Sequence, residues 1–204
     1  MTGRTVDPDR TSFPNMPIDV PMRFETEQML WTVDQVYTPT ECTDFIALIE
    51  SSSPTLATNN PLYRDQDRVI RDDPALAAEL FRRLRARLPE RMGSLRLLGL
   101  NDRLRFYRYS PGQRFEPHMD HWFRPNARQI TLHTVLAYFN DNFTGGETVF
   151  QEQFDQTVVP RAGTVAVFQH KLRHEGRPVI RGVKYAMRSD VIYQAVGDTI
   201  GKTG

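Results

Sequence analysis

The chain has 204 residues, 39% of them hydrophobic, which suits one domain with a substantial core. Its 26 basic and 25 acidic residues give a formal charge of +1, so it lacks the basic excess of a dedicated nucleic-acid-binding protein. No apolar run is long enough to cross a bilayer, and the polar residues 1–25 predict a flexible N-terminal arm without a secretory signal. The single cysteine, Cys42, excludes an internal disulfide framework and favours a cytoplasmic protein.

Two helices are predicted in the first half of the chain. Thr38, Pro39 and Glu41 form a capping-box pattern, and the apolar residues after them recur at helical spacing. Residues 51–61 are rich in Ser, Thr, Asn and Pro and predict a loop. A second helix is expected to begin at Asp73-Pro74 and to end at Pro89, because leucines recur every four residues between them.

From about residue 95 the pattern changes to short strands separated by turns. Strands are predicted at 104–109, 132–139, 148–150, 156–159, 164–169 and 185–193. Many short strands indicate a mainly β barrel or sandwich with flanking helices packed outside. We therefore expect residues 26–204 to form a single domain, with helices at about 26–94 supporting a β core at about 95–196.

The sequence His118-Met119-Asp120 is the first arrangement that indicates chemistry. Residues i and i+2 of a strand point to the same face, so the imidazole of His118 and the carboxylate of Asp120 can bind one cation. Two histidines and one carboxylate on one side of an octahedral metal form the facial triad of non-heme iron(II) oxygenases. An HxD pair is common on protein surfaces, but the turn at residues 110–112 places this one at the start of a strand and favours the metal interpretation.

The second histidine ligand must come from elsewhere in the chain. His121 would face away from a metal held by His118 on an extended strand, and His133 at the start of an apolar strand is typical of a partly buried, hydrogen-bonded histidine. His170 and His174 both remain candidates, since composition does not separate them.

Lys184 and Arg188 are predicted to lie on one face of the last strand, because they are four residues apart. A cation inside a β-barrel is costly unless it is paired. The far carboxylate of 2-oxoglutarate would be a suitable partner for either side chain.

The stretch from about residue 105 to 193 resembles the prolyl hydroxylase-like branch of the 2-oxoglutarate/iron(II) oxygenases. Three segments carry the resemblance: YSPGQRFEPHMD at 109–120, GGETVF at 145–150 and PRAGTVAVFQHKLRHEGRPVIRGVKY at 160–185. In this family the distal histidine is followed ten residues later by the lysine that binds 2-oxoglutarate, which implies His174 with Lys184 and leaves His170 as an auxiliary residue. The resemblance also implies a double-stranded β-helix (a cupin-like jelly roll) with the N-terminal helices packed on one sheet.

The resemblance further implies the residues around the cosubstrate. The metal ligands would be His118, Asp120 and His174. Besides Lys184, 2-oxoglutarate would lie against Tyr109, Leu136 and Tyr138, with Arg188 as the rival anchor for its far carboxylate.

The activity implied is that of an Fe(II)- and 2-oxoglutarate-dependent dioxygenase. Such an enzyme uses O2, is kept active by ascorbate as reductant, and forms succinate and CO2 while it hydroxylates an unactivated C–H bond. Asp120 fills the position that halogenases of the superfamily leave open for chloride, which favours hydroxylation.

The substrate is left open by the sequence. A peptidyl residue such as proline, a free amino acid and a small metabolite are all compatible with it, and the oligomeric state is not predicted. The loops at 59–71 and 121–128 are expected to shape the mouth of the site, with Arg71, Trp122 and Arg124 as substrate contacts. Two alternatives stay open: a metal- or ligand-binding β-barrel sensor without turnover, and a nucleic-acid demethylase of the related repair type, against which the near-neutral charge argues.

Overall fold

A computed structural model describes residues 29–57, 60–151 and 155–196. The predicted flexible arm at residues 1–25 lies outside these described residues. Helix α1 spans Pro39–Ser51, helix α2 spans Pro74–Leu84, and a 3-10 turn follows at Arg85–Arg87. None of the helices in the described part of the chain is long and apolar enough to span a membrane.

Fifteen strands run through the described residues. They are β1 (Leu30–Val33), β2 (Thr55–Leu56), β3 (Asp67–Asp72), β4 (Arg91–Met92), β5 (Leu95–Leu100), β6 (Arg103–Tyr109), β7 (Phe115–His118), β8 (Gln129–Tyr138), β9 (Thr144–Gly145), β10 (Thr148–Phe150), β11 (Gln156–Val158), β12 (Val165–Gln169), β13 (His174–Gly176), β14 (Val179–Arg181) and β15 (Lys184–Ala195).

The strands form a large sheet, a small sheet and a separate two-stranded sheet, and every pair of neighbouring strands is antiparallel. The large sheet has the order β1-β12-β8-β15-β6-β3-β2, with β5 paired to the second half of β15 and β4 paired to β5. The small sheet has the order β11-β10-β13-β7, and β14 pairs with β9 beside it.

The two faces of the large sheet pack against different parts of the molecule, because alternate residues of a strand point to opposite faces. On one face, apolar side chains of β6, β8, β12 and β15 pack against the buried sides of both helices. This core includes Ile49, Leu80, Phe106, Val135 and Met187. The other face looks toward the small sheet, where Phe150 and Val158 pack on Tyr138, Ala166 and Phe168. Two facing antiparallel sheets with helices on the outer side form the predicted double-stranded β-helix.

Helix α1 begins at the predicted capping box: the Thr38 hydroxyl accepts from the backbone N–H of Glu41, and the Glu41 carboxylate accepts from that of Thr38. Helix α2 is shorter than predicted. It ends at Leu84, and Leu88 is already extended, because a residue before proline is disfavoured in the helical conformation.

Four strands, β1 to β4, lie in the region that we expected to be helical and looped. β1 pairs with β12, and β3 pairs with β6 in the register Val69↔Phe106. β3 escaped prediction because Val69 and Ile70 are its only apolar residues and are adjacent, so no alternation is visible in DRVIRD.

Candidate metal centre and cosubstrate cavity

The two candidate histidine ligands are brought together by strand pairing. His118 is the last residue of β7 and His174 the first of β13, and the two residues are direct partners in the small sheet. Asp120 lies two residues beyond the end of β7, so the expectation that the HxD pair sits at the start of a strand is wrong. Its position is fixed instead by its backbone N–H, which donates to the carbonyl oxygen of His170 at 3.0 Å.

The ligand atoms of His118, Asp120 and His174 lie within 4.8 Å of one another, and all three residues are buried. The Nε2 atoms of His118 and His174 lie 3.8 and 3.9 Å from the Asp120 carboxylate. Each Nδ1 is 2.8–3.0 Å from the carbonyl oxygen of the residue two positions earlier, Glu116 or Leu172. With its Nδ1–H donating to that carbonyl, each ring directs the lone pair of Nε2 toward the common centre.

The electrostatics of the trio favour the protonation states that bind a metal. Burial and the neighbouring His174 lower the pKa of His118 to about 3, and burial lowers the pKa of His174 as well. Burial alone would raise the pKa of Asp120, but Arg188 and the two histidines outweigh it and hold that pKa well below its usual range. Two neutral imidazoles and one carboxylate therefore face one point, as the facial triad of iron(II) requires.

The trio opens into a cavity of about 460 Å³, a volume that includes its open mouth. Its wall is formed by the inner face of the large sheet, including Tyr107, Tyr109, Leu136, Lys184 and Arg188. Strand register explains this grouping, since Lys184 pairs with Tyr109, and Arg188 pairs with Leu136.

Lys184 is only 3% exposed, and its Nζ donates to the carbonyl oxygen of Gly146 at 2.6 Å. The rings of Tyr109 and Tyr138 lie 5.1 and 5.4 Å from the ammonium. In the part of the chain that the structure describes, no carboxylate is in salt-bridge contact with it, and burial lowers its pKa to about 8. An ammonium held in this way is a fitting partner for a carboxylate of a bound ligand.

The turn in the segment GGETVF, one of the three segments that resemble the family, allows Lys184 to contact Gly146. Gly146 has a φ of +69°, and a Cβ there would lie 3.2 Å from Cδ of Lys184. A side chain at this position would therefore be strained and would crowd the lysine.

The structure brings most of the predicted site residues together. His118, Asp120, His174, Lys184, Tyr109, Leu136 and Arg188 line the cavity. Tyr138 does not line the cavity itself, but it lies on the same face of β8 as Leu136, and its hydroxyl is 2.8 Å from that of Thr148, which does.

The predicted substrate contacts are less clearly placed. Trp122 is exposed, Arg124 is partly buried, and neither lines the cavity. Arg71 is not brought to the site: it pairs with Leu104, whose face packs on the helices, and its guanidinium contacts Asp73 at 3.1 Å.

The histidines that were not assigned to the metal have other surroundings. His133 is fully rather than partly buried, and its Nδ1 lies 3.3 Å from the hydroxyl of Tyr193. His170 is buried behind the trio, with its Nε2 3.5 Å from Asp190.

Two residues of the site went unnoticed in the sequence. Thr134 donates a short hydrogen bond to Oδ2 of Asp120, and its alternation with Leu136 along β8 could have placed it on the cavity face. The ring of Phe115 stacks on that of His118 with centroids 3.6 Å apart, and the guanidinium of Arg64 lies 5.5 Å from the Phe115 ring. No local signal in the sequence indicates this stack, since Arg64 is 51 residues away from Phe115 along the chain.

Residues 104–189 match the model of the 2OG-Fe(II) oxygenase superfamily. This part of the chain, which holds most of the β core, is therefore similar to that superfamily. Among curated proteins it is similar to "Probable prolyl 4-hydroxylase 6" of Arabidopsis thaliana, with 31% identity over 107 residues. That match covers 50% of this chain and 32% of the relative, so it spans about a third of the relative's length.

Solved structures of prolyl hydroxylases share the fold. The viral collagen prolyl hydroxylase of Paramecium Bursaria Chlorella virus-1 has a TM-score of 0.65 at 20% identity, over 82% of this chain and 97% of that one. The Trichoplax adhaerens prolyl hydroxylase, in complex with a peptide fragment of hypoxia inducible factor, has a TM-score of 0.61 at 18% identity, over 82% of this chain and 84% of that one. These likenesses confirm the predicted double-stranded β-helix fold.

Proposed function

We propose that this chain hydroxylates an unactivated C–H bond with Fe(II), 2-oxoglutarate and O2, and releases succinate and CO2. The observation that carries the proposal is the meeting of two independent features in one cavity. One is the buried trio of His118, Asp120 and His174, and the other is the buried ammonium of Lys184, which has no carboxylate partner among the described residues.

Each residue has a separate task in this proposal. The two imidazoles and the Asp120 carboxylate hold Fe(II), which when bound supplies the dioxygen chemistry. Lys184 binds the far carboxylate of 2-oxoglutarate with Tyr109 beside it, while Leu136 and Tyr138 complete the pocket around the cosubstrate. Ascorbate serves as the reductant that keeps the iron in its ferrous state.

We further propose that the substrate is a peptidyl residue, with proline as the first candidate. The Trichoplax prolyl hydroxylase with the same fold is bound to a peptide. Around the metal ligands of this chain, exposed apolar side chains stand on two loops: Leu62 and Tyr63 on one, Met119 and Trp122 on the other. The Tyr63 ring lies 6.2 Å from that of His118, so the first loop is next to the metal site. Such side chains suit an extended segment of another protein better than a small polar metabolite.

The proposal is tested by incubating the protein with Fe(II), ascorbate, 2-oxoglutarate and a panel of proline-containing peptides. Each peptide has a partner in which alanine replaces proline, and both succinate and peptide mass are measured. We expect succinate release that is coupled to a gain of one oxygen atom in a proline peptide and absent with its alanine partner. Release of succinate with no peptide oxidised would keep the reaction class and reject the peptidyl substrate. Metal binding without any succinate would favour the sensor alternative.

The matched control for this assay is His121→Ala. His121 is an exposed histidine one residue beyond Asp120, and it lies outside the cavity lining. The control should therefore still bind the metal and 2-oxoglutarate like the unmodified protein, whereas His174→Ala should lose metal binding.

A further inference from the structure

The carboxylate of Asp120 is held by the protein at both of its oxygens. Oδ1 lies 2.7 Å from Nη1 of Arg188, and Oδ2 accepts the short hydrogen bond from Thr134. Two bonds from different strands fix the plane of the carboxylate, so its lone pairs point in set directions before any metal arrives. Partners of metal ligands are known to act in this way on both orientation and affinity.

Arg188 is itself fixed by a second carboxylate. Its Nη2 lies 2.9 Å from Oδ1 of Asp190, and Asp190 is also 3.2 Å from Nη1 of Arg105. Arg188, Asp190 and Arg105 are all largely buried, with side chains 17%, 3% and 14% exposed. The guanidinium of Arg188 thus bridges two carboxylates through two different nitrogens, and its planar fork holds the two contacts in a fixed relative geometry.

These contacts bear on what Arg188 does for the metal. Arg188 lies against both Asp120 and Asp190, and its positive charge lowers the pKa of the Asp120 carboxyl. Its contacts also fix the orientation of that carboxylate, and the variant Arg188→Lys, which keeps the charge, separates the two effects. Both ends of the guanidinium are engaged by carboxylates, whereas Lys184 on the same cavity wall is in salt-bridge contact with no carboxylate of the described residues.

We propose that Arg188 is a positioning residue for the metal centre, with the Arg188–Asp190 pair acting as a rigid support that holds Asp120 in its metal-binding orientation. This inference rests on the proposed function only in assuming that the trio binds a divalent metal. It differs from the alternative in which Arg188 binds the far carboxylate of 2-oxoglutarate.

The test measures binding of Mn(II) and Co(II) to the metal-free protein by titration calorimetry, with no cosubstrate or turnover. Arg188→Met should weaken metal binding by about 10–100-fold and alter the visible spectrum of the Co(II) form. The double variant Arg188→Met/Asp190→Asn removes the pair without changing net charge, and it should show the same loss. Arg105→Met is the matched control: it also removes one similarly buried cation from Asp190 but does not touch Asp120, so its metal affinity should stay close to that of the unmodified protein.

Arg188→Lys covers the case in which Arg188→Met fails to fold. Lysine keeps the positive charge but lacks the planar fork that spans Asp120 and Asp190. The metal affinity of the Arg188→Lys protein should therefore also fall, while circular dichroism shows that the protein is folded. Metal affinity equal to that of the unmodified protein in Arg188→Lys or Arg188→Met would overturn the proposal, as would an equal loss in Arg105→Met. If the unmodified protein binds neither metal, the proposed function fails and this inference fails with it. If the unmodified protein binds the metals and the Arg188 variants bind them equally well, only this inference fails.

Discussion

Replacing Lys184 with methionine should stabilise the ligand-free protein and at the same time abolish its affinity for 2-oxoglutarate. Burial lowers the pKa of Lys184 from 10.5 to about 8. Each unit of pKa difference corresponds to ~1.4 kcal/mol. At neutral pH the buried, charged ammonium therefore lowers the free energy of unfolding by roughly 3 kcal/mol. Methionine fills a similar volume without a charge, so much of this cost should disappear from the free energy of unfolding.

The stabilisation should also depend on pH in a defined direction. The folded protein loses the Lys184 proton at about pH 8, whereas the unfolded chain keeps it until about pH 10.5. Between these values the unfolded state binds more protons, so the free energy of unfolding of the unmodified protein rises with pH. The advantage of Lys184→Met should therefore be largest below pH 8 and become small above about pH 10.5.

The assay is urea unfolding of the metal-free proteins at pH 7 and at the alkaline end of this range, paired with titration of 2-oxoglutarate into the Mn(II)-loaded proteins. Lys171→Met is the control, since Lys171 is a partly buried lysine outside the cavity lining. That substitution should change stability by no more than about 0.5 kcal/mol and leave cosubstrate affinity unchanged. A Lys184→Met protein that is less stable at pH 7, or that binds 2-oxoglutarate normally, would refute the reasoning.

Three further predictions follow from the same site. Alanine at His118, Asp120 or His174 should abolish substrate-coupled succinate release, measured by chromatography; full activity in any of the three variants would remove that residue from the metal site. The product made in chloride buffer should gain oxygen and no chlorine by mass spectrometry, because Asp120 fills the coordination position that a halide needs, and a chlorinated product would contradict this. The affinity for 2-oxoglutarate, measured by titration in the presence of Mn(II), should fall as the pH rises above about 8, since Lys184 then loses its charge. A Lys184→Arg variant that binds 2-oxoglutarate at neutral pH should still bind it above pH 8. An unmodified protein whose affinity does not depend on pH would argue against Lys184 as the anchor.

The alternation of residues along the strands could be predicted from the sequence, and it accounts for much of the cavity. Lys184 and Arg188 were expected on one face of the last strand, and the structure places both in the wall of the cavity. A period of two residues is a local property of an extended chain, so it does not depend on knowing the rest of the fold.

The partners across strands could not be predicted from spacing alone. His170 and His174 are equivalent on that basis, and only the pairing of His174 with His118 in the small sheet separates them. The family resemblance supplied this choice before the fold did. Likewise, the sequence placed Arg188 on the cavity face but did not show that its guanidinium meets Asp120, because the loop after β7 determines where Asp120 lies.

The central claim is that the trio and Lys184 form one site for Fe(II) and 2-oxoglutarate. Its most direct test is the release of labelled CO2 from 2-oxoglutarate labelled at its 1-carboxylate, by protein supplied with Fe(II), ascorbate and the peptide panel. We predict release that requires O2, is lost in Asp120→Ala, and is lost in Lys184→Met at cosubstrate concentrations that saturate the unmodified protein. Release that is unchanged in both variants, or absent from the unmodified protein under every condition, would contradict the claim.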